Sequence, residues 1–165
     1  MVNFSEQLLE ILKSPNKYPY DINLYCEVLA FIPYFQDLKE NEYIIYHNNK
    51  TFEYSAHFYS FIKALHDSHL VEDINEMTEF LKLYHSESAY KIWMKEMNLI
   101  LSDEELLMKT NISFLKKAVL SMIRLEKVCP GSWGIDVETR NWLNILLQLK
   151  RIFPEIYRTE KNIFN

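Results

Sequence analysis

Residues Val128-Cys129-Pro130-Gly131-Ser132-Trp133-Gly134-Ile135-Asp136 hold both glycines of a 165-residue chain. A chain this poor in glycine has few sites for the positive φ angles of tight β turns, so a mainly α, compact single-domain fold over 1–165 is expected. Within such a fold the stretch reads as a helix stop, with a glycine in left-handed backbone and Trp133 as a buried anchor between the last two helices. The same residues also read as a loop whose bare amides and indole face a ligand.

Upstream, Arg124 and Lys127 stand at i, i+3, and Lys117 lies seven residues before Arg124, so Lys117 and Arg124 share a helical face. Cations at a helix end complement its dipole, each contributing about 0.3–1 kcal/mol. An arginine beside a tryptophan and open amides is also a means of holding a phosphate or carboxylate with a flat ring next to it. The candidate ligand site is therefore Arg124, Lys127, Lys117, Gly131, Ser132 and Trp133.

The run Met122-Ile123-Arg124-Leu125-Glu126-Lys127-Val128-Cys129-Pro130-Gly131-Ser132-Trp133-Gly134 resembles the signature of a bacterial family, domain-of-unknown-function family 6508. Phe61–Ser68 is similar to that family's second apolar helix and Leu143–Leu149 to its closing helix, and the likeness spans roughly 25–153. Val128 stands where the family pattern has an aromatic residue, and Arg140-Asn141 where it has a glycine. The resemblance implies a shared fold and marks Arg124, Gly131 and Trp133, but names no reaction.

Further outward, apolar spacing predicts helices. Asn3 or Ser5 can cap a first one through Leu8, Leu9, Ile11 and Leu12, and Asp21 a second that Pro33 ends or kinks. Tyr43–Tyr46 and Thr51–Tyr54, β-branched and aromatic around Asn48-Asn49, predict a small hairpin. Ser55 can cap Phe58, Phe61, Ile62 and Leu65; Ile74, Met77, Leu81 and Tyr84 continue the helical period, as do Tyr90, Trp93, Met97 and Ile100. Ser102-Asp103-Glu104-Glu105 reads as a capping box, and Thr110-Asn111 as a break before Phe114, Ala118, Met122 and Leu125. A last helix carries Trp142, Ile145, Leu146, Leu149, Ile152 and Phe153 and closes at Pro154.

Composition excludes several classes. A net charge of -5 with few basic fields argues against general nucleic-acid binding. Two cysteines make neither a disulfide scaffold nor a zinc site, and no leader or membrane span is legible, so a cytoplasmic protein is expected. His66 and His69 with Asp67, Glu72 and Asp73 lack a third ligand at metal spacing, so no metal or other cofactor is expected. Catalytic elbows, Cys-His signatures and P-loops are absent. The 24 aromatic residues suggest surplus rings for a homodimer interface.

Charge is uneven, net -10 over 1–108 and +5 over 109–165. The expectation is a non-catalytic protein capturing a small anionic ligand, nucleotide-like ligands included, at its basic loop. The alternative is a protein-interaction or inhibitor module of the immunity or phage-accessory kind, using the acidic amino-terminal two-thirds. An enzyme with an unrecognised acid/base pair ranks third.

Overall fold

The computed structural model describes residues 3–13, 22–47, 52–71 and 87–164. Expectations that fall on Asp21, Asn48-Asn49, Ile74–Tyr84 and the acidic stripe Glu72, Glu76 and Glu79 lie outside them. Within the described residues the chain is mainly α with one antiparallel hairpin. Its helices are α1 (Glu6–Lys13), α2 (Ile22–Leu29), α3 (Ile32–Gln36), α4 (Glu40–Tyr43), α5 (Ala56–Asp67), α6 (Glu87–Ser102), α7 (Glu104–Leu107), α8 (Ile112–Val128), α9 (Ser132–Glu138) and α10 (Asn141–Phe164). Strands β1 (Ile44–His47) and β2 (Phe52–Tyr54) pair between α4 and α5, with a bulge between Ile44 and Tyr46.

Capping residues set most of these boundaries. The Ser5 hydroxyl accepts from the Leu8 amide, Ser55 from Phe58 and Asn111 from Phe114, each satisfying a donor that the helix start leaves open. Three boundaries differ from expectation. Asp103 alone caps α7, accepting from Leu106, while Ser102 closes α6 and donates to the Leu99 carbonyl, so no capping box forms. Pro33 opens α3 at its first turn, where its missing amide removes nothing. At the far end, α10 runs on past Pro154 to Phe164.

The centre of the fold is α8. Every residue from Asn111 to Ile123 is buried, Lys116 and Lys117 among them, so its amino-terminal two-thirds is covered on all sides. Around it packs an aromatic core of Tyr25, Tyr43, Tyr54, Phe58, Phe61, Phe114 and Trp142. Ring centroids lie 4.7 Å apart for Phe35 and Phe61, 5.0 Å for Tyr54 and Phe58 and 5.4 Å for Phe61 and Trp142. Among the described residues the rings thus go mostly inside, with Tyr59 the one aromatic among the exposed large apolar side chains. The homodimer expected from that surplus finds no support in it.

Side-chain amides on one face of α10 fasten it to its neighbours. Asn141 donates to Asp136 at 2.9 Å, Asn144 to the Leu101 carbonyl at 2.8 Å and Gln148 to the Thr110 carbonyl at 3.1 Å. These bonds satisfy buried acceptors at helix ends. They also fix the position of the α9–α10 corner, where the chain presents its site-like surface. No helix among the described residues is long and apolar enough to cross a membrane.

Candidate functional site

Helix α8 emerges from the core after Ile123, turns at Cys129–Gly131 and restarts as α9. Gly131 sits at φ +97, in the left-handed region, and a Cβ there would lie 2.7 Å from the Phe52 ring. Backbone angle and space both demand glycine. Gly134 has ordinary backbone but faces the hairpin, where a Cβ would meet Tyr43 at 3.4 Å and Ile44 at 3.6 Å. The hairpin thus requires glycine at 131, whereas at 134 a Cβ would make ordinary van der Waals contact.

The donors of the loop converge on Glu126. Its Oε1 accepts from the Gly131 amide at 3.0 Å and the Tyr54 hydroxyl at 2.9 Å; its Oε2 accepts from the Trp133 amide at 2.9 Å and the Ser132 hydroxyl at 3.1 Å. The cradle expected to face an anion therefore holds one already, a carboxylate of the same chain. Burial, followed by the hydrogen bond and negative charge of Glu126, pushes the Tyr54 phenol far above its ordinary pKa, so Tyr54 is a donor at any working pH. The Trp133 indole donates to the Met122 carbonyl at 3.1 Å, and its ring packs against Tyr54 and Phe58.

The structure separates the six predicted site residues. Gly131, Ser132 and Trp133 surround the Glu126 carboxylate. Arg124 and Lys127 are exposed on the last turns of α8, whereas Lys117 is buried and donates to Ser113 at 2.9 Å. Spacing of seven does put Lys117 and Arg124 on one face, but α8 is submerged at the first and emergent at the second. Glu126, the residue that organises the loop, is not among the six. A carboxylate in the last turn of a helix opposes the helix dipole, and that mismatch is the signal that marks it in the sequence.

Asp136 on α9 is the second buried carboxyl of the corner. Its Oδ1 accepts from Asn141, and its Oδ2 is buried without a hydrogen-bond partner. Burial chiefly, with the charge of Glu126 adding and the Asn141 bond opposing, raises its pKa from 3.8 to about 6. The folded chain then binds this proton more tightly than the unfolded chain. Stability from this group is full below the unfolded pKa and is lost as pH rises through about 6, by a total on the order of 2–3 kcal/mol. Asp136→Asn, which keeps an acceptor for Asn141, is expected to flatten that part of the stability profile. Urea unfolding of both proteins at about pH 4 and pH 7 checks it: an unchanged difference between them would place the titration elsewhere.

Arg140 follows α9 and precedes α10, with φ +65 in the left-handed region. It is exposed, and its guanidinium makes no hydrogen bond or ion pair with the described residues. Two clefts meet at it. One, of about 270 Å³, is lined by Leu101, Ser102, Glu104, Leu107, Asn144, Leu147 and Arg151 as well as Arg140. The other, of about 370 Å³, includes Phe35, Leu38, Tyr43, Val137, Glu138 and Leu143. In the second the Tyr43 hydroxyl donates to Glu138 at 3.1 Å.

Among the described residues no cluster of three or more His, Cys, Asp and Glu side chains is placed to hold a metal ion. His66 is exposed on α5, His69 follows it at φ +58, and Cys26 and Cys129 are exposed and unbridged. Compared with known proteins, the chain matches no family model, no curated protein and no solved structure.

Proposed function

We propose that this chain is a non-catalytic binding protein for a small anionic ligand, and that side-chain cations of its carboxy-terminal third make the contact. Arg140 carries the reading: an arginine held in strained backbone, without a partner for its charge among the described residues, on the ridge between two clefts. The loop amides are satisfied by Glu126, so they serve as scaffold, with Arg124 and Lys127 adding positive potential nearby. Kinship with domain-of-unknown-function family 6508 and a cytoplasmic location belong to the same proposal; the first rests on the likeness of residues 122–134.

Native mass spectrometry of the chain, before and after incubation with deproteinised cell extract, tests the proposal. A bound small-molecule mass is expected, diminished in Arg140→Gln. Absence of any adduct across extracts would end it.

A second reading has its own observation. Val128 and Ile135 are 75% and 60% exposed on either side of the loop that Glu126 clamps. A rigid apolar surface of this kind suits a protein-interaction module. Retention of a partner that Val128→Ser releases would favour that reading over ligand capture.

A further inference from the structure

The smaller cleft beside Arg140 has a definite shape and charge. Asn144, Leu147 and Arg151 recur at i, i+3 and i+7, which places them along one face of α10 over about 10 Å, and Arg140 stands just before the first turn of that helix. Opposite stand Leu101 and Ser102 at the end of α6 and Glu104 and Leu107 of α7. Three leucines belong to the lining: Leu147 is half-buried and open to the groove, while Leu101 and Leu107 are almost wholly buried behind it.

Its two ends are electrically different. Arg151 Nη2 lies 2.9 Å from Glu104 Oε1, and its Nη1 donates to Gln148 at 3.4 Å, so that end is internally neutralised. Asn144 is committed to the Leu101 carbonyl. Arg140 has no ion pair among the described residues; the lining of this groove carries a net charge of +1, and that of the neighbouring cleft, which holds Glu138 as well as Arg140, carries none. An anion entering at Arg140 is drawn to the smaller cleft.

Resting on the binding reading above, we infer that the groove between α6–α7 and α10 takes a small organic monocarboxylate. Arg140 grips the carboxylate through its guanidinium fork, and a short apolar body lies against Leu147, the leucine of the lining that is open to the groove. A volume of about 270 Å³ falls below the usual range of roughly 300–1,000 Å³ for larger ligands, so the body is compact, of the size of an aryl or short branched alkyl group. The left-handed backbone at Arg140 fits this assignment. Glycine adopts φ +65 without strain, so an arginine there has a use for its side chain that the fold does not supply.

Benzoate is the probe, titrated into the full chain and followed by amide shifts in two-dimensional NMR. Shifts are expected in 101–107 and 140–151, with a dissociation constant on the order of 1 mM. Arg140→Gly is expected to raise the unfolding midpoint while weakening benzoate at least about tenfold, and Arg140→Gln to weaken it similarly without the gain in stability. Glu104→Gln, at an exposed position, removes a negative charge and tightens benzoate about threefold. Inorganic phosphate, which has the charge without the apolar body, binds at least about tenfold more weakly than benzoate.

Benzoate shifts that are absent or lie elsewhere, phosphate binding as tight as benzoate, or binding unaltered in both Arg140 variants would each overturn the assignment. An extract adduct seen together with no benzoate shift removes the groove and leaves the binding reading standing. Loss of both removes both.

Discussion

Truncating Glu126 to alanine is expected to lower stability by about 3 kcal/mol, a sizeable fraction of the roughly 5–15 kcal/mol that a folded domain has in reserve. Four donors lose their acceptor at once: two backbone amides, the Ser132 hydroxyl and the phenol of fully buried Tyr54. Bonds to an ionised group are worth about 1.5–3 kcal/mol each, but they share one carboxylate and the loop is partly reached by water, so they do not sum. Urea unfolding followed by tryptophan fluorescence reads the loss directly. Glu126→Gln keeps one carbonyl oxygen and turns an NH₂ toward donors, so a loss of about 1–2 kcal/mol is expected. A double-mutant cycle with Tyr54→Phe isolates the phenol bond; a coupling near zero would show that the clamp acts through the loop amides alone.

The second large effect is expected at Gly131. Alanine there must adopt φ +97 and place its methyl group 2.7 Å from the Phe52 ring. Left-handed backbone costs about 1–2 kcal/mol for an L residue, and forcing a methyl into a packed ring adds about 1–3 kcal/mol, so a loss near 3 kcal/mol follows. Gly134→Ala, with ordinary backbone and 3.4 Å to Tyr43, is expected to lose less than about 1 kcal/mol. Thermal unfolding of the two variants separates them. Adding Phe52→Ala to Gly131→Ala should recover the steric part and leave the backbone part, so the two changes combine less than additively. Equal losses at both glycines would mean that the hairpin does not press on the loop as described.

The same two glycines show how far local sequence reaches. A positive φ at one of the two loop glycines and helix starts at Ser55 and Asn111 are decided by residues within one turn and are legible in the sequence; which glycine takes it, Gly131, is decided by the fold. The apolar stripe Phe58, Phe61, Ile62 and Leu65 is buried as its period requires. What local pattern does not carry is depth and partnership. Lys116 and Lys117 read as surface on any helical wheel, yet α8 is central and both are buried. Glu126 takes three donors from the loop five to seven residues on, and the fourth, Tyr54, is returned by the hairpin from 72 residues earlier. Arg140 shows its strain only once its φ is known. Local pattern locates the loop and its backbone turn correctly and misses the carboxylate that fills it, because the first is set by sequence neighbours and the second by packing.

One consequence concerns the order of events during synthesis. Helix α1 is fastened by Glu96, which accepts from the Ser5 amide and hydroxyl, and by Asn111, which donates to the Ile11 carbonyl, across separations of 91 and 100 residues. At translation rates of roughly 5–20 residues per second, α1 emerges on the order of 5–20 s before these partners exist. Through that interval Leu8 and Ile11, buried in the finished fold, face water on the growing chain. The apolar side of α1 thus stays without its final partners until α6 and α8 have been made.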